Sequence, residues 1–381
     1  MSKIKIYDES VSKLERIDWD FEDVSTDPLS LLHPYPARFI NSIPKELIKN
    51  LDIPDNTGVF DPFCGSGTTL YEAQKAGLSS TGVDLNPIAC LISRVKLQKL
   101  EEGFDNIYEN ILSKAQRDLE TSKYSIPAIP NLDHWFKKDI QLAITSLVNN
   151  INNIEYDAIR DALFFALSSI IVRVSNQESD TRYAAIQNNY NASDVFNCFR
   201  NSCKKLLKFK TGTEEQTSAD FKVINNDILS VKPDDITNKI GLVITSPPYP
   251  NAYEYWLYHK YRMWWLGYNP ISVRTHEIGA RPHYQKKNGQ TAEDFKLQMS
   301  CVADLLDNTL CKNGYACIVI GRSIIKGEEI DNAALITDIF NTRKYKLCAD
   351  IERNISSTKK SFNLKYGKIK TEHILIFRKE N

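Results

Sequence analysis

Two short stretches carry residue types that could work on a ligand. In Ser246-Pro247-Pro248-Tyr249 a hydroxyl, two rigid proline carbonyls and an aromatic ring stand together, after Thr245 and the apolar run Leu242-Val243-Ile244. That is a set of fixed hydrogen-bond acceptors beside a stacking surface. In Asp61-Pro62-Phe63-Cys64-Gly65-Ser66-Gly67-Thr68-Thr69 the glycines let a ligand approach the backbone, and the helix that follows offers free N–H groups. Asp84 lies roughly 20 residues further on, the spacing at which α/β nucleoside sites set an acid against ribose hydroxyls. No Walker lysine accompanies the glycines, so this is not a triphosphate loop. Each stretch by itself also fits an ordinary packed turn. Their occurrence together points to a site.

The elements that position these residues read as alternating strands and helices. Residues 239–244 form a buried parallel strand that two prolines end, so the chain leaves the sheet at its carboxyl edge, where open α/β sheets bind ligands. Residues 57–60 are the strand before the glycine turn, and Leu70, Ala73 and Gln74 mark the helix after it. Residues 80–83 form a strand that ends at Asp84, and Asn86-Pro87 opens another helix. Strand signals return at 221–225, leading to Asp227, and again at 315–320, 345–351 and 373–377. From about 100 to 220 apolar residues recur at helical spacing and strand signals are scarce. The expectation is one doubly wound α/β sheet interrupted by a mainly helical insertion. It divides into an N-terminal segment 1–50, a first half 51–100, the insertion 101–220 and a second half 221–381. Trp19, Phe21 and Leu29 are the anchors expected near the start, and 269–292 reads as a polar, basic loop.

Composition narrows the class. With 381 residues and 42% hydrophobic content the chain can bury a large core. It has no membrane-length apolar run and begins without the apolar centre of a signal peptide. Its eight cysteines include no Cys-x-x-Cys pair, which points to reduced thiols in a cytoplasm and away from zinc. Lys plus Arg and Asp plus Glu both number 48, so contact with a polyanion must come from local patches.

Taken in order, these motifs resemble the amino-group DNA methyltransferases, the N4-cytosine/N6-adenine class. The family pattern is a Phe-x-Gly-x-Gly loop followed by an Asp/Asn/Ser-Pro-Pro-Tyr/Phe tetrapeptide, here Phe63-Cys64-Gly65-Ser66-Gly67 and Ser246-Pro247-Pro248-Tyr249. His33-Pro34-Tyr35-Pro36-Ala37-Arg38-Phe39 is similar to the segment that, in part of this family, precedes the cofactor loop and closes over it. The resemblance covers roughly 30–100 and 221–377, and the helical middle matches only loosely. It implies a Rossmann-like methyltransferase sheet that uses S-adenosylmethionine and acts on double-stranded DNA. It also implies a restriction-modification or related defence setting with a possible cognate restriction endonuclease.

By the same resemblance, Asp61, Phe63, Gly65 and Gly67 surround the methionine end of the cofactor. Asp84 takes its ribose, Asp227 its adenine amino group, and Arg38 its carboxylate. Ser246 and the Pro247 carbonyl draw the two amine hydrogens out of the base plane, Pro248 stiffens the turn, and Tyr249 stacks on the extruded base. Serine in first place favours cytosine N4. Adenine N6, an RNA methyltransferase on the same fold and a non-catalytic binding module are the alternatives. Arg281 is expected near the flipped base. The insertion, with Arg173, Arg182, Lys204, Lys205 and Lys208, is expected to supply most of the remaining DNA contact.

Overall fold

The computed structural model describes residues 2–22, 31–121, 124–180, 182–212, 219–251, 253–355 and 371–380. Leu29, one of the expected anchors, lies outside them. The chain starts with β1 (Lys3–Ile6) and reaches α1 (Ser42–Asn50), β2 (Gly58–Asp61), α2 (Thr68–Lys75), β3 (Ser80–Asp84) and α3 (Pro87–Leu97). A helical stretch follows: α4 (Phe104–Thr121), α5 (Leu132–Trp135), α6 (Lys138–Asn152), α7 (Asp157–Ile170) and α8 (Ala192–Gly212). A hairpin of β4 (Gln177–Ser179) and β5 (Arg182–Ala185) stands between the last two helices.

The chain resumes its alternation with β6 (Phe221–Asn225) and β7 (Ile240–Thr245). Then come α9 (Tyr255–Trp265), α10 (Pro270–His276), α11 (Arg281–Gln285) and α12 (Ala292–Thr309). It closes with β8 (Leu310–Gly321), the short pair β9 (Ser323–Ile325) and β10 (Glu328–Ile330), α13 (Asn332–Asn341), β11 (Tyr345–Asn354) and β12 (Thr371–Lys379).

Eight strands form one sheet in the order β1-β11-β12-β8-β7-β2-β3-β6. Strands β8, β7, β2, β3 and β6 run parallel, while β12 is antiparallel to both its neighbours. From β2 the chain builds outward through β3 and β6, then returns to lay β7 and β8 on the other side. The reversal between β2 and β7 is the switch point at which a doubly wound sheet opens a crevice.

The pleat sorts the strand side chains onto two faces. Val59, Leu242, Ile244, Tyr315, Cys317 and Val319 pack with Val11, Leu14, Trp19, Ile43 and Leu47 on one face. Phe60, Val243, Ala316, Ile318 and Ile320 pack with α12 and α13 on the other. Continuous apolar strands are the pattern of a sheet covered on both sides.

Three features went unread in the sequence. β1 pairs antiparallel with β11, and Trp19, one of the expected anchors, is fully buried, its indole N–H donating to the Leu14 carbonyl at 3.0 Å. The mainly helical insertion also carries the β4–β5 hairpin. Residues 269–292 contain α10 and α11, each with proline in its first turn, and the Asn269 side chain caps α10 by accepting from Ile271 N–H at 2.9 Å. Among the described residues no helix is long and apolar enough to cross a membrane.

The insertion shares its core with the sheet. Ile88, Leu91, Ile92 and Val95 of α3 and Trp256, Tyr261, Met263 and Trp265 of α9 belong to the same apolar cluster as the buried faces of α4, α6, α7 and α8. Arg262 of α9 is fully buried inside this contact. Its guanidinium donates to the Ser168 carbonyl of α7 at 3.0 Å, to the Tyr258 carbonyl at 3.1 Å, and to the Asp180 carboxylate in the hairpin turn. All three guanidinium nitrogens therefore have acceptors, as a buried charge requires. Removing Asp180 would strand that charge. Asp180→Ala is expected to cost about 3 kcal/mol of unfolding free energy, the lower end for a broken buried pair because Asp180 keeps some solvent contact. Urea unfolding of the variant measures it, and an unchanged midpoint rules the pair out as a support of the insertion.

Candidate active site

A cleft opens at the switch point, with a volume of about 910 Å³ including its mouth. Its floor comes from the strand ends: Asp61 to Ser66 after β2, Asp84 to Asn86 after β3, Asn226 to Ile228 after β6, and Ser246 and Pro248 after β7. Gly65 and Gly67 both adopt left-handed backbone, φ +49° and +74°. A β carbon on Gly67 would stand 2.8–3.0 Å from Ser93 of α3, so only glycine lets α2 start so close to α3.

Among the described residues the acids on this floor are held by hydrogen bonds and by no basic side chain. Asp61 is 2% exposed, and its Oδ1 accepts from Phe63 N–H at 3.1 Å and from the Thr245 hydroxyl at 2.6 Å. Burial pushes its carboxyl up to about 6, against the pull of those bonds. Asp84 accepts from Gly65 N–H and Asn86 N–H, both at 2.8 Å, so it holds the glycine turn as well as facing the cleft. Its carboxyl is also raised to about 6, by burial first and by the charge of Asp61 among the lesser causes. Asp227 lines the cleft and accepts from Leu229 N–H at 3.0 Å. Among the described residues the lining includes no lysine and no arginine.

The tetrapeptide divides. Ser246 and Pro248 line the cleft, Pro247 is buried behind them, and Tyr249 is half-buried beside it. The Tyr249 hydroxyl donates to Glu372 of β12 at 3.0 Å, and Glu372 in turn pairs with the buried guanidinium of Arg353. Burial pushes the Tyr249 phenol well up, with the Glu372 charge adding.

Two further segments wall the cleft. Tyr35, Ala37 and Phe39 come from the approach to α1; a β carbon on Gly65 would lie 3.1 Å from the Tyr35 hydroxyl. Arg38 is not on the wall, and its guanidinium donates to the His33 carbonyl at 2.7 Å. Val273, His276, Glu277 and Ile278 form the opposite side with Tyr255 from the start of α9. Tyr35 and Tyr255 stand with ring centres 6.1 Å apart. Tyr255, His276 and Glu277 are wall residues the sequence reading missed. Nothing in their spacing marks them, because their meeting depends on how α9 and α10 fold back.

The expected DNA contacts are not gathered at the cleft. Arg281 begins α11, half-buried and off the wall, although the residues just before it are on the wall. Lys204 and Lys205 are exposed on α8. Lys210, later on the same helix, donates to the Lys96 and Gln98 carbonyls at 2.8 and 2.7 Å. Those carbonyls lie at the far end of α3 from Asn86, about 16 Å along the helix axis. The lysine cluster therefore lies toward the sheet edge away from the cleft.

A family model described as DNA methylase matches residues 2–94, which include the approach segment, the glycine turn and Asp84. The Type II methyltransferase M.MvaI of Kocuria varians is 28% identical over 247 residues, covering 58% of this chain and 53% of that protein. M.BsoBI of Geobacillus stearothermophilus is 22% identical over 270 residues, 63% of this chain and 53% of its own length. M.MjaII of Methanocaldococcus jannaschii reaches 37% over a shorter stretch of 109 residues, 26% of this chain and 20% of its own. The chain spans about half the length of the first two relatives.

The buried acid on the floor has a consequence for stability. The folded state holds Asp61 above its unfolded value of 3.8, so the native protein binds the extra proton and its stability falls as pH rises from about 4 to about 6. Asp61→Asn keeps an oxygen for both partners and removes the charge. The ligand-free variant is expected to gain on the wild type by about 3 kcal/mol between pH 4 and pH 7. The difference between the two proteins is the quantity to measure by urea unfolding, because buried His33 and His259, both held well below 6.5, tilt each total the other way. A pH-independent difference removes Asp61 as a buried charge.

Proposed function

We propose that this chain, which belongs to the amino-group DNA methyltransferase family, moves a methyl group from S-adenosylmethionine to the exocyclic amine of a base in double-stranded DNA, with cytosine N4 favoured. One observation carries the reading. The glycine turn, Asp84, Ser246 and Pro248 meet around one acid-lined cleft, with Tyr249 beside it, and among the described residues no lysine or arginine stands on its wall. Such a wall suits a nucleoside that carries positive charge and repels a triphosphate. S-adenosylmethionine is such a nucleoside, and when bound it supplies an activated methyl group. Asp84 would hold the ribose, Asp227 the adenine amino group, and Asp61, Phe63, Gly65 and Gly67 the methionine end. Arg38, tied to the His33 carbonyl, drops out of this assignment.

The chain's own residues answer the difficulty of the reaction. An amine on a base is a poor nucleophile because its lone pair is delocalised into the ring. The Ser246 hydroxyl and the Pro247 carbonyl accept its two hydrogens and favour the pyramidal, positively charging nitrogen. Because prolines fix them, they need no reorganisation as charge develops. The Tyr249 ring, pinned through its hydroxyl to Glu372, is a fixed platform for a base taken out of the stack. Serine in the first position supports cytosine. The relatives' names, Type II methyltransferase, support a restriction-modification setting, in which a cognate endonuclease would be the partner.

DNA approaches across the insertion's hairpin in this reading. That hairpin leans on α9, with the Tyr183 hydroxyl donating to the Leu257 carbonyl and Lys260 standing over the Tyr183 ring at 4.3 Å. Arg173 is exposed beside it, its Nε donating to the Tyr190 hydroxyl at 3.2 Å.

Tritiated-methyl transfer to DNA and RNA, followed by nucleoside mass spectrometry, tests the activity. N4-methylcytosine in DNA is the expected product; N6-methyladenine would correct the base, label in RNA alone the substrate, and no transfer by cofactor-loaded protein the enzyme itself. Tyr249→Ala should lose ~1–3 kcal/mol of base stacking and much of the turnover, with Tyr249→Phe closer to wild type. Full turnover in Tyr249→Ala would make the ring purely structural. For the interface, Arg173→Gln should flatten the salt dependence of DNA binding by ~0.9 if it meets one phosphate, while a Lys204→Gln/Lys205→Gln protein keeps the wild-type slope. The reverse pattern moves the duplex to α8.

A further inference from the structure

One short turn holds the chain that leaves the tetrapeptide. Glu277 follows α10, and its backbone N–H donates to the Val273 carbonyl at 2.9 Å in the ordinary way. Its side chain does something else. Oε1 accepts from Tyr255 N–H at 2.9 Å and Oε2 from Trp256 N–H at 2.7 Å, across 22 and 21 residues. Two residues on, the Gly279 carbonyl accepts from Asn251 N–H at 2.9 Å. Gly279 has φ +79°, and a β carbon there would stand 3.0 Å from the Tyr249 carbonyl oxygen. Tyr249, Asn251, Tyr255 and Trp256 are thus all met by residues 277–279.

The start of α9 depends on this turn. Glu254, its preceding residue, makes no side-chain cap, so Glu277 supplies acceptors for N–H groups that the helix leaves open. When ionised, its carboxylate also carries the charge that a helix N-terminus favours. A local serine or aspartate would cap the helix equally well. A cap delivered from beyond α10 does more, because it fixes α9 against the opposite wall of the cleft. Glu277 is 7% exposed and is itself part of that wall, next to Tyr255.

We propose that Glu277 is a positioning residue for methyl transfer, bracing the segment from Tyr249 to Trp256 so that the tetrapeptide and Tyr255 keep their places on the cleft. This rests on the methyltransferase reading above. Glu277 acts through the backbone of Tyr255 and Trp256 and the Gly279 contact with Tyr249. It need not touch the reacting atoms.

Two variants of the full chain test this. Glu277→Ala removes both acceptors, and Glu277→Gln keeps the shape with one. Turnover at saturating DNA and S-adenosylmethionine should fall by about 100-fold in Glu277→Ala, the scale of a roughly 1 Å misplacement, and by less in Glu277→Gln. The calorimetric Kd for S-adenosylmethionine should change far less than kcat. Hydrogen exchange at the Tyr255 and Trp256 amides should quicken in Glu277→Ala while the amides of α12 stay unchanged. Wild-type kcat in a folded Glu277→Ala protein, unaltered exchange at the two amides, or a loss confined to cofactor affinity each overturns the brace. A wild-type chain that transfers no methyl group sinks the functional reading by itself, and the exchange measurement still decides whether Glu277 holds α9.

Discussion

Thr245 donates its hydroxyl to Asp61 Oδ1 at 2.6 Å, across 184 residues of chain and out of contact with solvent. Each residue is the last of its strand, β7 and β2, and those strands are neighbours at the point where the winding of the sheet reverses. The bond fixes where both chains leave the sheet. Asp61 leads into the glycine turn and Thr245 into the tetrapeptide, so one hydrogen bond sets two motifs at the same height on one cleft. A slip of β7 by a single residue would send Leu242 and Ile244 to the wrong face and carry Ser246 away from its place. The apolar pleat on both faces is what makes such a slip costly.

Helix α9 is the second constraint. It starts on the cleft at Tyr255 and ends deep in the core shared with the insertion. Its aromatic content follows from that position, because rings fill the broad space between α3 and the helices α4 to α8. Arg262 is the charged exception, and its bonds to α7, α9 and the hairpin turn define how the insertion sits on the sheet.

The cleft itself is arranged against stability. Asp61, Asp84 and Glu277 have carboxyls raised by burial, to about 6, 6 and 8, and among the described residues none of them forms an ion pair. Backbone N–H groups and the Thr245 hydroxyl offset part of the desolvation. The remainder is a standing cost that a cationic ligand would relieve, the trade between function and stability that active sites commonly show.

Much of the frame was legible in the sequence because it follows from local rules. Proline ends β7, glycine shapes the turn after β2, Asn86-Pro87 starts α3, and unbroken apolar runs mark strands covered on both faces. The same rules were present at Asn269-Pro270 and Arg281-Pro282, yet the basic residues around them gave the look of a loop, and the short helices were missed. Strand β1 was missed because an edge strand of alternating Lys and Ile has only one face to bury. What tertiary structure alone decided is which side chains share the cleft. Tyr255 and Glu277 reach the wall only because α9 and α10 turn back on each other, and Lys204 and Lys205 leave it because α8 runs toward the far sheet edge. Sequence spacing determines which face of an element a residue takes. The path of the chain between elements, set by packing over the whole core, determines what that face meets.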